Sequence, residues 1–166
     1  IQSFIFMPLF GLNNGMVPIV SYNFGAHRKD RILSVIKTAL IAGFILMCIG
    51  SLIVYVFAVP ILKLFTAGEN MMKVGTHALK VISIHYPFVS FNVILSSVMQ
   101  ATKKEIYSLI SSVIRQIVIL LPSAYILSKS FGVNGIWYCF IISEAIAFLI
   151  ILYLFKKTYR EQIDTL

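Results

Sequence analysis

The chain has 166 residues, 59% hydrophobic and 12% charged, with mean hydropathy +0.92 and a formal charge of +8. Water-soluble domains carry about 45–50% apolar and about 25% charged residues, so this composition excludes a soluble globular domain and reads as a membrane protein. The basic excess does not point to nucleic acid: the cations cluster between apolar runs without interleaved aromatic residues, the pattern of topogenic charge at an anionic membrane surface.

Ile1 opens inside an apolar run that lacks a basic flank and a cleavage site, so it does not begin a signal peptide, and the chain is expected to be an internal start of a longer protein. A bilayer core about 30 Å thick needs roughly 20 apolar residues of helix. The first such span is predicted over 1–23, where Gly11 and Gly15 have the spacing that lets a neighbouring helix approach. It ends on Asn23 and Gly25, and charge follows at once in Arg28, Lys29, Asp30 and Arg31. The second span is predicted over 32–59, with Lys37 near enough to its end to snorkel. The third is predicted over 78–101. Ahead of it, Lys73, His77 and Lys80 share one helical face, predicting an amphipathic stretch at the outer surface, and residues 66–69 (TAGE) fit a capping box. The fourth and fifth spans are predicted over 106–128 and 133–155. Pro87 and Pro122 fall inside the third and fourth and are expected to kink them. The runs are continuous, without period-two alternation, which selects helices over barrel strands. The fold class is therefore all-α, a polytopic membrane bundle over 1–166. Cys48 and Cys139 lie deep in apolar runs and read as packing residues.

Basic residues set the orientation. Connectors 22–31 and 101–105 and the tail after 155 hold eight, against three on connectors 60–73 and 128–135. Alternate connectors share a side, and the richer set is predicted to be cytoplasmic, with the C-terminus inside and the protein in the plasma membrane.

Ionisable groups inside a span are functional candidates because they are costly there. Glu144 is the only acidic residue inside a predicted span and Arg115 the only arginine. Arg115 lies nine residues from the start of its span and Glu144 eleven from the end of its own; at about 1.5 Å per residue their depths differ by roughly 3 Å. A pair between these adjacent antiparallel helices is geometrically possible, as a structural clamp or as a gate or proton site. His85 is a candidate proton-linked residue or a hydrogen-bonded core residue. Asn13, Asn14, Asn92 and Gln100 are candidates for lining a cavity or for bonding between helices, and Tyr86, with Phe88 and Phe91, offers aromatic surface for a cationic ligand or for packing. No phosphate loop, metal-ligand cluster or catalytic constellation occurs in the sequence, so no enzyme, metal or cofactor is expected.

Residues 18–26 (PIVSYNFGA), followed by basic residues through Arg31, resemble the end of the eighth helix of the multidrug and toxic compound extrusion (MATE) transporters. The resemblance continues in order through 60–66 (PILKLFT), Pro87 with Phe88, Gln100 with Ala101, 109–116 (LISSVIRQ) with Leu121 and Pro122, and 131–137 (FGVNGIW) with Ser143 and Glu144. It implies helices eight to twelve of the C-terminal lobe, with the N-terminal lobe and helix seven as missing partners. It also implies export of small, often cationic molecules by alternating access, driven by H⁺ or Na⁺. Some members carry a cation-binding carboxylate in helix ten; none lies between 70 and 102 here. The competing readings are a lipid-linked saccharide flippase of the related superfamily, whose cavity would carry several basic residues, and a membrane module that only packs against partners.

Overall fold

The protein's structure, a computed structural model, describes residues 2–64 and 68–165, with side chains for all of these except 69, 70, 130, 131, 133 and 134. It consists of α1 (Gln2–Gly25), α2 (Lys29–Val56), α3 (Ala58–Leu64), α4 (Glu69–Ser83), α5 (Tyr86–Ala101), α6 (Glu105–Val113), a π-helical segment (Ile114–Leu120), α7 (Leu121–Thr158) and a closing π-helical segment (Tyr159–Ile163). No strand occurs among the described residues. Four helical stretches are long and apolar enough to cross a bilayer, and α4 with α5 makes a fifth as one bent unit. Backbone hydrogen bonds closed within each segment are what a hydrocarbon environment demands.

The third span departs from one kinked helix. The chain breaks at Ile84 and His85, and the two halves meet at 50°. Pro87 explains the position. It has no N–H to offer the carbonyl of Ser83 and sits in the first turn of α5, where none is needed. The freed carbonyl is taken by the hydroxyl of Ser51 on α2, which donates to it at 2.7 Å. The amphipathic stretch is α4, which carries Lys73, His77 and Lys80. Its N-cap is Gly68; the predicted capping box rests on Thr66 and on the side chain of Glu69, which lie outside what the structure describes. The connector predicted over 60–73 is not plain loop, since α3 ends only at Leu64.

Pro122 has a different consequence. The backbone ahead of it widens into the π-helical segment Ile114–Leu120 instead of bending sharply. Gly132 then breaks α7 at φ 62°, ψ −153°, backbone reserved in practice for glycine. In one straight helix Arg115 and Glu144, 29 residues apart, would be separated by about 44 Å. They touch because the chain folds back at Gly132, so the fourth and fifth spans are Glu105–Lys129 and Gly135–Ile163. The fifth therefore runs past the predicted end at 155.

Helix α5 is the middle of the bundle. Nine of its sixteen residues are buried, and α1, α2, α6 and α7 all pack on it. Close approach comes from glycines on α2. A Cβ at Gly43 would stand 2.6 Å from Ile94 Cδ1, and one at Gly50 2.5 Å from Ile5 Cγ2. The predicted approach at Gly11 and Gly15 is not made among the described residues: nothing lies within 4 Å of a Cβ built there.

Connectors 22–31 and 101–105 end up beside the C-terminal segment. Lys29 Nζ reaches Asp164 Oδ1 at 2.6 Å and Lys104 Nζ reaches Glu161 Oε2 at 2.7 Å. In the same segment Thr158 and Ile163 are fully buried. The segment after 155 is thus a packed helical latch and not a free tail. Both connectors use the same turn, with His27 and Lys103 in left-handed backbone and a 6→1 hydrogen bond closing each helix, Arg28 N to Asn23 O and Lys104 N to Met99 O.

Candidate functional site

Three elements bring the intramembrane charges together. Arg115 stands at the start of the π-helical segment, Glu144 in α7 after the Gly132 reversal, and Asn92 in the middle of α5. Arg115 Nη1 donates to Glu144 Oε1 at 2.7 Å, and Asn92 Nδ2 donates to Glu144 Oε2. Each carboxylate oxygen has its own donor, which is the condition for holding an ionised group at depth. The environment is lopsided: the Glu144 side chain is 6% exposed and that of Arg115 is 32%. The acid is enclosed and the base faces open space on two sides.

That space is a pair of cavities. The first, of about 240 Å³, is lined by Phe10, Asn13, Asn92, Ser97, Ser111 and Arg115 among others. The second, of about 270 Å³, holds His85, Gln116, Phe140, Ser143 and Glu144, and Arg115 again. Arg115 therefore borders both. Its π-helical setting matters as well, because such widened turns recur at functional sites.

The remaining candidates separate. His85 is buried, stacked on Phe140 at 6.0 Å with 24° between the planes, and its Nδ1 has no partner among the described residues. It faces the same cavity as Glu144 and Arg115. Asn13 lines the first cavity, while Asn14 beside it is exposed and borders neither of the two. Tyr86 borders neither of these two cavities: it is fully buried, edge-on to Phe6 at 5.1 Å and to His85 at 5.2 Å. Gln100 bonds between helices, donating to Ser108 Oγ at 2.8 Å, and Ser108 is shared with Ser96.

Sequence reasoning passed over the serines. Asn92, Ser96 and Gln100 recur at i, i+4, i+8 on α5, and Ser108, Ser111, Ser112 and Arg115 at i, i+3, i+4, i+7 on the facing span. Two polar stripes at helical spacing, each holding a candidate residue, were the available signal.

The MatE family model matches residues 1–126. The chain belongs to this family. Among curated relatives, the multidrug export protein MepA of Staphylococcus aureus is 27% identical over 160 residues, covering 95% of this chain and 35% of that protein. The probable multidrug resistance protein NorM of Thermotoga maritima is 23% identical over 139 residues, 82% of this chain and 30% of that protein. The solved structure of the MATE multidrug transporter DinF-BH superposes with TM-score 0.89 at 25% identity, covering 99% of this chain and 36% of that one. This MatE chain thus spans about a third of the length of the curated relatives it matches, and it is a multi-pass membrane protein. The family resemblance carried by its motifs holds.

Proposed function

We propose that this MatE chain supplies helices eight to twelve of the C-terminal lobe of a secondary active efflux transporter. That transporter would export small organic molecules by alternating access in exchange for H⁺ or Na⁺. The observation that carries the reading is the buried Arg115–Glu144–Asn92 junction, which ties three helices together beside two polar cavities. A module that only packs against partners has no use for intramembrane charge held open to a cavity. In this reading the pair is a gate that stays closed while Arg115 holds Glu144, and His85 is its proton-linked neighbour. The N-terminal lobe and helix seven complete the cavity. Connectors 22–31 and 101–105 and the C-terminal latch are cytoplasmic, and the membrane is the plasma membrane.

The test is efflux from proteoliposomes of the full-length protein, under a pH step alone and under a sodium gradient alone. Two cargoes are loaded in turn, the fluorescent cation ethidium and the amino acid tyrosine. Export of at least one is expected under one of the two gradients, and the responding gradient names the coupling ion. No export under either sinks the reading. Cysteines placed at Lys29 and Lys129 should label from opposite sides of the membrane.

A further inference from the structure

The fifth span leaves one face uncovered, and that face changes character along its length. Ile146, Leu149, Leu152 and Tyr153 recur on it at helical spacing and are exposed, Leu149 at 66% and Tyr153 at 70%. Lys156, Lys157 and Arg160 continue the same face and are exposed as well. There the surface opens into a recess of about 390 Å³, lined by Tyr153, the three cations and Glu161.

The charges of the recess are unequally engaged. Glu161 is already held, by Lys104 Nζ at 2.7 Å and by Lys157 Nζ at 3.9 Å. At the same end of the bundle Lys29 is spent on Asp164. Lys156 and Arg160 have no acid partner among the described residues. They stand four residues apart on a helix, so both can reach one anion. A guanidinium fork pairs with two oxygens of a phosphate, and an ammonium adds a point charge beside it. Tyr153 lies between the apolar strip and the cations, the level at which aromatic rings settle among lipid headgroups. A free anion would use the cations and nothing else. A molecule that joins a phosphate to acyl chains matches the whole face, cations and strip together.

We propose that Lys156 and Arg160 form a seat for the phosphate of an anionic phospholipid, whose acyl chains lie along Leu149 and Leu152. The seat is local and not a property of the basic end as a whole, because Lys29, Lys104 and Lys157 there face carboxylates of the chain itself. It requires that the fifth span crosses a bilayer and is independent of export.

The experiment is native mass spectrometry of the full-length protein, released from neutral micelles holding phosphatidylglycerol and phosphatidylcholine in equal amounts with chains of distinguishable mass. Retention of the anionic lipid is expected to exceed that of the zwitterionic one by about tenfold. Lys156→Gln with Arg160→Gln breaks no ion pair among the described residues and should abolish most of that preference. Lys73→Gln with Lys80→Gln removes the same charge from α4, at the other end of the bundle, and should leave the preference intact. Excess inorganic phosphate should not displace the lipid. Equal retention of the two lipids, or a preference that survives Lys156→Gln with Arg160→Gln, overturns the seat. A preference lost equally in the α4 variant means bulk charge and overturns it too, and displacement by phosphate means a free-anion site instead of a lipid one.

Discussion

Two sets of ion pairs with almost the same bond lengths hold this protein, and they differ in how far their carboxylates are enclosed. At the basic end, Lys29–Asp164 and Lys104–Glu161 close at 2.6 and 2.7 Å between side chains that are 26–54% exposed. Inside the bundle, Arg115–Glu144 also closes at 2.7 Å, but its acid is 6% exposed and has a second donor in Asn92. Water competes for the first set and screens it. For the second, the alternative to the bond is an unpaired charge at membrane depth, which is far more expensive. Bond length therefore says little about what either set contributes, and the environment decides it: one fastens a surface, the other governs whether a charge is tolerated at all.

The sharpest test of that difference is its asymmetry within the inner pair. Arg115→Gln leaves Glu144 enclosed and without its cation, and should cost about 3 kcal/mol, read as a lowered denaturation midpoint in micelles. Glu144→Gln leaves an arginine that already borders two cavities, and should cost about 1–2 kcal/mol. The double variant should be less destabilised than Arg115→Gln alone, because the stranded carboxylate is gone. Equal costs for the two single variants would mean that burial does not separate the partners, and the comparison would fail.

Asn92→Leu asks whether the second donor matters. It leaves the ion pair in place and strips one hydrogen bond from Glu144 Oε2, an expected loss of about 1–3 kcal/mol in the same measurement. No loss would show that Arg115 alone satisfies the acid.

The two regions were also unequally legible in the sequence. Arg115 and Glu144 could be matched from depth alone, since helix rise is fixed and short connectors force antiparallel neighbours. The grouping of the basic connectors was legible because the helices between them alternate direction, and connectors 22–31 and 101–105 do meet the C-terminal segment at one end of the bundle. What the sequence hid was set by contacts between distant segments. Pro87 announced a kink, but its form depends on Ser51, thirty-two residues before the carbonyl it binds. Gly11 and Gly15 looked like the packing face, whereas Gly43 and Gly50 are, because Ile94 and Ile5 come down on them. Tyr86 is aromatic surface by composition and core by position. The latch was invisible for the same reason: polar residues after 155 read as solvated until Ile163 and Thr158 are seen to be buried where the two basic connectors meet them.

The smallest effects are expected at that latch. Lys104→Gln or Lys29→Gln should each lower the denaturation midpoint slightly, far less than Arg115→Gln does, and the difference from the unaltered protein should vanish in 1 M salt, where the screening length is about 3 Å. The response to pH separates the regions further. The hydrogen bond to Glu161 is the chief reason that the Lys104 ammonium is held above its ordinary range. A group whose pKa is raised on folding contributes its full stabilisation below the unfolded value and loses it only as pH climbs through the folded one. The latch should therefore respond to salt at neutral pH, yet keep the contribution of Lys104 until the lysine range is reached. A lysine-dependent loss between about pH 7 and 9, well below the ordinary lysine value, that is absent from Lys104→Gln would show that the ammonium is not held by Glu161.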